Sequence, residues 1–97
     1  MELSYTAISV NGVAVRLLAE RWAYTNACFD DVLGTIERPD LILRGRWDTQ
    51  VAVRRMPGRR YLMVRYRELT TREGFVISAH VEPHLVERAV VWRARGF

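Results

Sequence analysis

Two hydrophobic segments at the start of the chain, with polar turn residues between them, predict a β-hairpin. Leu3–Val10 and residues 13–17 are apolar, β-branched segments, and Asn11-Gly12 lies between them. Asn-Gly between two such runs is a strong hairpin signal, because both positions of the tight turn favour a positive φ. We therefore predict two short antiparallel strands joined at Asn11-Gly12.

Apolar residues then repeat at a helical spacing, from Leu18 to the proline at position 39. Asp30 is a suitable N-cap for a helix. Pro39 ends the helical pattern, because the residue before a proline disfavours the helical conformation. We predict one broken helix or two short helices across Ala19–Arg38.

Four further segments are alternating or continuously apolar, and turn-forming residues separate them. The turn at residues 57–60 (Pro-Gly-Arg-Arg) predicts a hairpin between the second and third segments, and Gly74 precedes the fourth. We predict four antiparallel strands at Asp40–Arg44, Gln50–Met56, Tyr61–Tyr66 and Phe75–Val81.

The chain from Pro83 onwards has apolar side chains at a helical spacing. Proline suits the first turn of a helix, and the stripe that follows includes Leu85, Val90 and Trp92. The predicted fold is therefore α+β, with an N-terminal hairpin, one or two short helices, a four-stranded antiparallel sheet and a C-terminal helix. Helices packed on one face would leave the other face of the sheet partly open.

Length and composition limit the class of protein. The 97 residues form one domain, residues 1–97, and a hydrophobic content of 49% is enough for one core. No apolar run approaches the roughly 18 residues of a membrane span, and no signal-peptide pattern opens the sequence. The single Cys28 cannot form an internal disulfide, which is typical of a reducing cytosol. We expect a cytoplasmic protein with no membrane partner.

Positive charge is concentrated in one stretch, Arg44–Arg67. This stretch holds eight of the fifteen arginines and one acid, Asp48, whereas the formal net charge of the whole chain is +4. A basic hairpin in a small domain is typical of a surface that binds a polyanion. The alternative is a solvated surface in a protein of arginine-rich lineage, because the chain contains no lysine.

The sequence offers few kinds of catalytic site. Pro83 separates His80 from His84, and Cys28 is distant, so no metal-ligand spacing links them. No glycine-rich phosphate loop is present, and Cys28 is more typical of a buried structural cysteine than of a nucleophile. We therefore expect no metal and no cofactor.

The remaining residue types suit metal-independent cleavage of RNA, in which the RNA supplies its own nucleophile, the 2′-OH. Arginine stabilises the charge on the phosphate, and histidine transfers protons near neutral pH. His80 lies two residues after Ser78 on a predicted strand, so both side chains share one face. The alternative is that His80 is an ordinary residue at the end of a strand.

The order of several short motifs resembles a known superfamily. Glu20–Trp22 opens the predicted helix, Pro39-Asp40 and Arg44–Arg46 flank an apolar strand, and Phe75–His80 ends the last strand. In this order the motifs resemble the small nuclease-like domains of the barnase/EndoU/colicin/RelE superfamily, especially its phage- and toxin-associated members. The resemblance covers about Val15 to Val81, and it depends on the order and spacing of the motifs.

This resemblance implies a helix followed by a four-stranded sheet, metal-independent ribonuclease activity and, commonly, a toxin that an antitoxin neutralises. The motifs place six residues in the site: Arg21, Tyr24, Arg44, Arg46, Ser78 and His80. Tyr24 stands where the family usually has histidine, Ser78 where threonine is usual, and His80 where tyrosine is usual.

These residues receive the following expected roles. Arg44 and Arg46, together with Arg21, would bind the scissile phosphate. His80 would act as general acid or base, with Tyr24 or Glu20 as the second proton carrier. Ser78 would donate a hydrogen bond. The rest of the basic hairpin is expected to contact RNA: Arg54, Arg55, Arg65, Arg67 and Tyr66.

Two other functions use the same surfaces. The first is a nucleic-acid-binding module that binds on the basic face without cleavage. The second is a protein-interaction subunit whose C-terminal helix contacts a partner or a second copy of the chain. The expected partners are therefore RNA, an acidic antitoxin protein and, through the C-terminal helix, a homodimer.

Overall fold

A computed structural model of the chain describes residues 4–18, 29–85 and 89–95, which form one β-sheet and one helix. In chain order the elements are β1 (Ser4–Ile8), β2 (Ala14–Leu18), α1 (Phe29–Glu37), β3 (Leu41–Arg44), β4 (Gln50–Met56), β5 (Arg60–Glu68), β6 (Glu73–Glu82) and β7 (Val90–Arg93). The seven strands lie in the order β1-β2-β6-β5-β4-β3-β7. Neighbouring strands are antiparallel except β2 and β6, which are parallel.

The predicted N-terminal hairpin is present as β1 and β2, and a buried serine organises its turn. The Ser9 hydroxyl accepts hydrogen bonds from the N–H groups of Asn11 and Val13, both at 3.3 Å, and donates one to Glu68 at 2.6 Å. Gly12 has a positive φ of 77°, whereas Asn11 does not. The turn therefore differs from the predicted one, in which both residues had a positive φ.

The predicted four-stranded antiparallel sheet is wrong. The four expected strands are present with shifted ends, as β3 to β6, but the sheet continues at both edges. On one side the N-terminal hairpin joins through the parallel pairing of β2 with β6, where Val15 lies opposite Gly74. On the other side β7 pairs with β3. An exposed strand edge can accept any complementary strand, and the sequence pattern does not show which strand it will be.

The predicted C-terminal helix is also wrong, because Val90–Arg93 form the edge strand β7. Its β-branched and aromatic residues favour strands, and Arg44 N–H donates a 2.9 Å hydrogen bond to the Ala89 carbonyl beside it. Leu85 and Val90, which belonged to the predicted helical stripe, both pack against the cluster of Leu41, Leu43 and Val53. A homodimer through a C-terminal helix therefore loses its structural basis.

Helix α1 covers one face of the sheet, which we call the helix face. Val32 and Ile36 of α1 are buried against strand residues that include Leu62, Val64 and Tyr66. Pro39 follows the helix, as predicted, whereas the first predicted helical segment falls mainly on residues 19–28, outside the described residues. Within the described ranges, no helix is both long enough and apolar enough to cross a membrane.

The opposite face of the sheet, which we call the cleft face, carries a second and smaller apolar cluster. Leu41, Leu43 and Val53 are buried there, and Met63 and Leu85 pack against them. Beyond the end of β6, Leu85 packs on this face, and β7 lies at the far edge of the sheet. The face that we expected to be partly open is therefore partly covered, and only the remainder can form a site.

A β-bulge in β6 decides which of its side chains reach each face. Arg65 lies opposite Ser78, but Tyr66 lies opposite Val76, so Ile77 is the extra residue. Val76 and Ala79 are three positions apart, so in a regular strand their side chains would point to opposite faces. The extra residue of the bulge places both of them in the helix-face core. Beyond the bulge, alternate residues of β6 point to the cleft face.

Candidate functional site

A cleft of about 380 Å³ opens on the cleft face, and four of the predicted site residues line it: Arg44, Arg46, Arg65 and His80. Its apolar lining comes from Leu43, Val51 and Met63 on three neighbouring strands. The polar lining consists of Arg44, Arg46, Arg65, His80, Glu82 and His84. Two histidines, three arginines and one glutamate are therefore among the residues that line one concave surface.

The register of β5 and β6 places the central residues of the cleft side by side. Arg65 lies opposite Ser78, and Met63 lies opposite His80. Side chains directly opposite each other have Cβ atoms about 4.5–5.5 Å apart, and diagonal neighbours about 7–8 Å. Arg65 and His80 are diagonal neighbours, so a group bound between them is within reach of both side chains.

His80 has a carboxylate neighbour on its own strand. The distance from His80 Nε2 to Glu82 Oε1 is 4.0 Å, and the two side chains are 44% and 46% exposed. The two residues are two positions apart in β6, so they share the cleft face. The geometry allows Glu82 to pair with His80 when the imidazole carries a second proton.

The loop between β3 and β4 supplies two of the three arginines. The Gly45 N–H donates to the Thr49 carbonyl at 2.8 Å, and the Thr49 N–H donates to the Arg46 carbonyl at 3.1 Å. The Thr49 hydroxyl also donates to the Arg46 carbonyl. These bonds fix the backbone of the loop, while the side chains of Arg44 and Arg46 remain exposed to solvent.

Two residues of the cleft, Glu82 and His84, are not among the predicted site residues. Glu82 could have been found, since Ser78, His80 and Glu82 alternate along one strand face. The predicted C-terminal helix, which begins at Pro83, would place His84 in its first turn. In the structure the chain bends after β6, and His84 lines the cleft.

Several residues predicted to contact RNA lie elsewhere. Arg54 is on the helix face, where a Cβ built on Gly34 of α1 would lie 3.0 Å from Arg54 Nη1. Arg55 is exposed nearer the tip of the hairpin, and its N–H donates a 2.7 Å hydrogen bond to Asp40. Arg67 lies two residues from Arg65 on the same face of β5, so it adds a second positive charge to that face of the strand.

Tyr66 is a core residue, so we remove it from the expected RNA contacts. Its side chain is 0% exposed on the helix face, and its hydroxyl has no hydrogen-bond partner among the described residues. Burial, with a smaller contribution from the charge of Glu68, raises the pKa of the Tyr66 phenol well above its usual range. A buried ring cannot stack on a base.

Arg21 and Tyr24, which the resemblance placed in the site, lie outside the described residues. The structure thus brings together Arg44, Arg46, Ser78 and His80 from the predicted catalytic set, and Arg65 from the predicted RNA contacts. Although His80, Glu82 and His84 line one cleft, no three His, Cys, Asp or Glu side chains of the described residues converge as metal ligands.

Comparisons of the chain with protein-family models, with curated proteins and with solved structures found no match. The resemblance to the barnase/EndoU/colicin/RelE superfamily therefore still depends on the short motifs alone. Functional inference for this chain starts from the chemistry of the cleft.

Proposed function

We propose that this chain is a metal-independent ribonuclease that cleaves RNA in the cleft on the cleft face. The observation that carries the proposal is the convergence of His80, His84 and three arginines on one cleft. Cleavage of RNA by its own 2′-OH requires a base, an acid and cationic stabilisation of the phosphate. The cleft contains side chains for all three tasks.

The mechanism follows from the neighbours of each group. His80 removes the proton from the 2′-OH, and Glu82, 4.0 Å away, stabilises the resulting imidazolium. The 2′-oxygen attacks phosphorus and the bond to the 5′-oxygen breaks, which leaves a 2′,3′-cyclic phosphate. His84 donates a proton to the departing 5′-oxygen.

The arginines stabilise the negative charge that develops on the phosphate. A guanidinium group remains charged at every relevant pH and can donate two parallel hydrogen bonds to phosphate oxygens. Arg46 and Arg65 line the cleft from different elements, so they can contact the phosphate from two sides. Ser78, opposite Arg65 in β6, is the hydroxyl donor nearest to this pair in register.

The test is cleavage of RNA by purified protein in EDTA, with detection of cyclic phosphate ends. His80→Ala should lower the cleavage rate by about 100-fold or more, since a general acid or base contributes roughly 10²–10⁴-fold. Arg65→Ala should also lower the rate. Arg54→Ala is the matched control, because it removes the same charge from the neighbouring strand on the opposite face. Wild-type cleavage by His80→Ala would refute the assignment.

Salt dependence provides an independent measure of the phosphate contacts. For single strands, the slope of log affinity against log salt is about −0.7 per neutralised phosphate. Arg65→Ala should therefore reduce the slope by roughly 0.7, whereas Arg54→Ala should leave it unchanged. Equal effects of the two substitutions would show that binding depends on total charge and not on the cleft.

One observation favours a second function, RNA binding without cleavage. Arg44, Arg46 and Arg65 are exposed, so their side chains retain much of their rotamer freedom, whereas catalysis needs groups held closely in place. This function predicts salt-dependent binding with no cyclic phosphate product.

We also propose that the protein acts in the cytoplasm as the toxin of a toxin–antitoxin pair. The basic cleft is complementary in charge to a small acidic protein, which would inhibit by occupying the place of RNA. Expression of the chain alone should stop cell growth, and His80→Ala should relieve the toxicity. An acidic protein encoded by the adjacent gene should restore growth and should bind wild type more tightly than Arg65→Ala.

A further inference from the structure

The turn between β3 and β4 presents a tryptophan to solvent beside the cleft. Trp47 is 86% exposed, more than any other large hydrophobic side chain of the described residues. It belongs to neither apolar cluster. It directly follows Arg46, whose side chain lines the cleft. Burial in the fold therefore does not explain an indole at this position.

The backbone at this turn is unfavourable for tryptophan. Trp47 and Asp48 both have a φ of 59°, and the Thr49 N–H closes the turn onto the Arg46 carbonyl at 3.1 Å. Two central residues with positive φ are the geometry of a type I′ turn, which favours Asn, Asp and Gly. A bulky side chain with positive φ is an outlier, and such outliers concentrate at functional sites.

We propose that Trp47 is a stacking platform for an unpaired base of the bound RNA, so that the substrate is single-stranded RNA. An exposed aromatic ring beside a positively charged groove is the combination with which proteins bind single strands. The Cα atoms of adjacent residues are about 3.8 Å apart, so a base on Trp47 leaves its phosphate within reach of Arg46. Bases in a duplex are stacked on each other and do not offer this face.

The inference rests on the proposed function, because the cleft arginines would hold the phosphates next to the stacked base. The surroundings of Trp47 favour a nucleotide over an apolar protein surface. Its neighbours in the turn, Arg46 and Asp48, are charged and exposed, so charged side chains flank the indole along the chain.

The test measures binding of 2′-O-methyl RNA, which lacks the nucleophilic hydroxyl and therefore survives the assay. The probes are a fluorescein-labelled single strand of about 12 nucleotides and the blunt-ended duplex that this strand forms with its complement. Trp47→Ala should weaken single-strand binding by roughly 5- to 150-fold, which corresponds to the energy of stacking one base. Binding of the duplex should change little, and Trp47→Phe should retain most of the affinity for the single strand.

Trp47→Asn separates stacking from folding, because asparagine is favoured at this backbone conformation and keeps the turn intact. It should fold as wild type does and should lose as much single-strand affinity as Trp47→Ala. If Trp47→Asn binds the single strand like wild type while Arg65→Ala binds weakly, the stacking role is overturned and the proposed cleft stands.

The other outcomes separate the two proposals. If Trp47→Asn weakens binding but His80→Ala still cleaves, the stacking role stands and the catalytic assignment falls. If the wild-type protein binds neither probe, both proposals are overturned.

Discussion

The burial of Tyr66 leads to a prediction with a definite sign. Its side chain is 0% exposed, and its hydroxyl finds no hydrogen-bond partner in the described part of the chain. Gln50, its cross-strand neighbour, has a buried Oε1 that also lacks a partner there. Tyr66→Phe removes the hydroxyl and keeps the ring, so the core loses an unsatisfied polar group and little packing.

The expected gain follows from the cost of burying a hydroxyl without a hydrogen bond. Mutational data place that cost at roughly 1–3 kcal/mol. Tyr66→Phe should therefore raise the free energy of unfolding by about 1 kcal/mol or more. In a domain of this size, 1 kcal/mol corresponds to an increase in melting temperature of roughly 4–8 °C.

Urea and thermal unfolding followed by circular dichroism would measure the change, with an unchanged urea slope as evidence that both proteins unfold alike. Tyr61→Phe is the matched control, because Tyr61 lies on the same strand, is half-buried, and packs on the other face. It should change stability by less than about 0.5 kcal/mol. Destabilisation by Tyr66→Phe would show that the hydroxyl makes a hydrogen bond, and the reasoning would fail.

The same residue predicts a loss of stability at alkaline pH. Burial and, to a smaller extent, Glu68 raise the pKa of Tyr66 in the folded state, whereas an unfolded tyrosine titrates near about 10. Below about pH 10, Tyr66 is protonated in both states, and its contribution to the free energy of unfolding is fully present. Above that pH the unfolded state loses the proton first, so stability falls by up to about 1.4 kcal/mol per pH unit. Tyr66→Phe should show a shallower decline than wild type in urea unfolding above pH 10.

Three further substitutions test the fold by urea unfolding. Gly74→Ala should destabilise by roughly 2–3 kcal/mol, because an added Cβ would collide with the Arg67 carbonyl oxygen and lie 3.0 Å from Glu68 Cα; wild-type stability would contradict this close strand packing. Ser9→Ala should cost roughly 1–3 kcal/mol, since Glu68 loses its 2.6 Å hydrogen bond and two turn amides lose their acceptor. Unchanged stability of Ser9→Ala would mean that a water molecule replaces the Ser9 hydroxyl in these hydrogen bonds. Arg59→Gly should leave stability unchanged or raise it by up to about 1 kcal/mol, because a φ of 59° is strained for an L residue and free for glycine. A marked loss would show that the Arg59 side chain stabilises the hairpin.

Local sequence rules determined the strands and several features of the site. Alternation and turn residues located β1 to β6 to within a few residues, because both signals come from neighbours along the chain. Ser78 and His80 are two positions apart in one strand, which predicted that their side chains share a face. The structure puts both on the cleft face. The concentration of arginine from Arg44 onwards predicted a polyanion-binding surface, and three arginines of this stretch line the cleft: Arg44, Arg46 and Arg65.

Only the tertiary structure decided on which face of the sheet each arginine of the basic hairpin lies. Arg54 and Arg65 belong to the same basic hairpin, but they lie on opposite faces, and only Arg65 lines the cleft. Alternation assigns side chains to two sides of a strand without showing which side the helix covers. That choice depends on α1, which packs on the helix face through contacts distant in sequence.

The sequence pattern also did not predict which strands pair at the edges of the sheet or which residues complete the lining of the cleft. β2 and β6 pair across more than fifty residues, and β7 pairs with β3 although its residues have a helical spacing. His84, which follows β6 in the chain, adds a second histidine to the lining of the cleft. The sequence of a short segment determines its preference for strand or helix. The partner of each strand depends on the surface that contacts between distant segments bury, and those contacts form only in the folded chain.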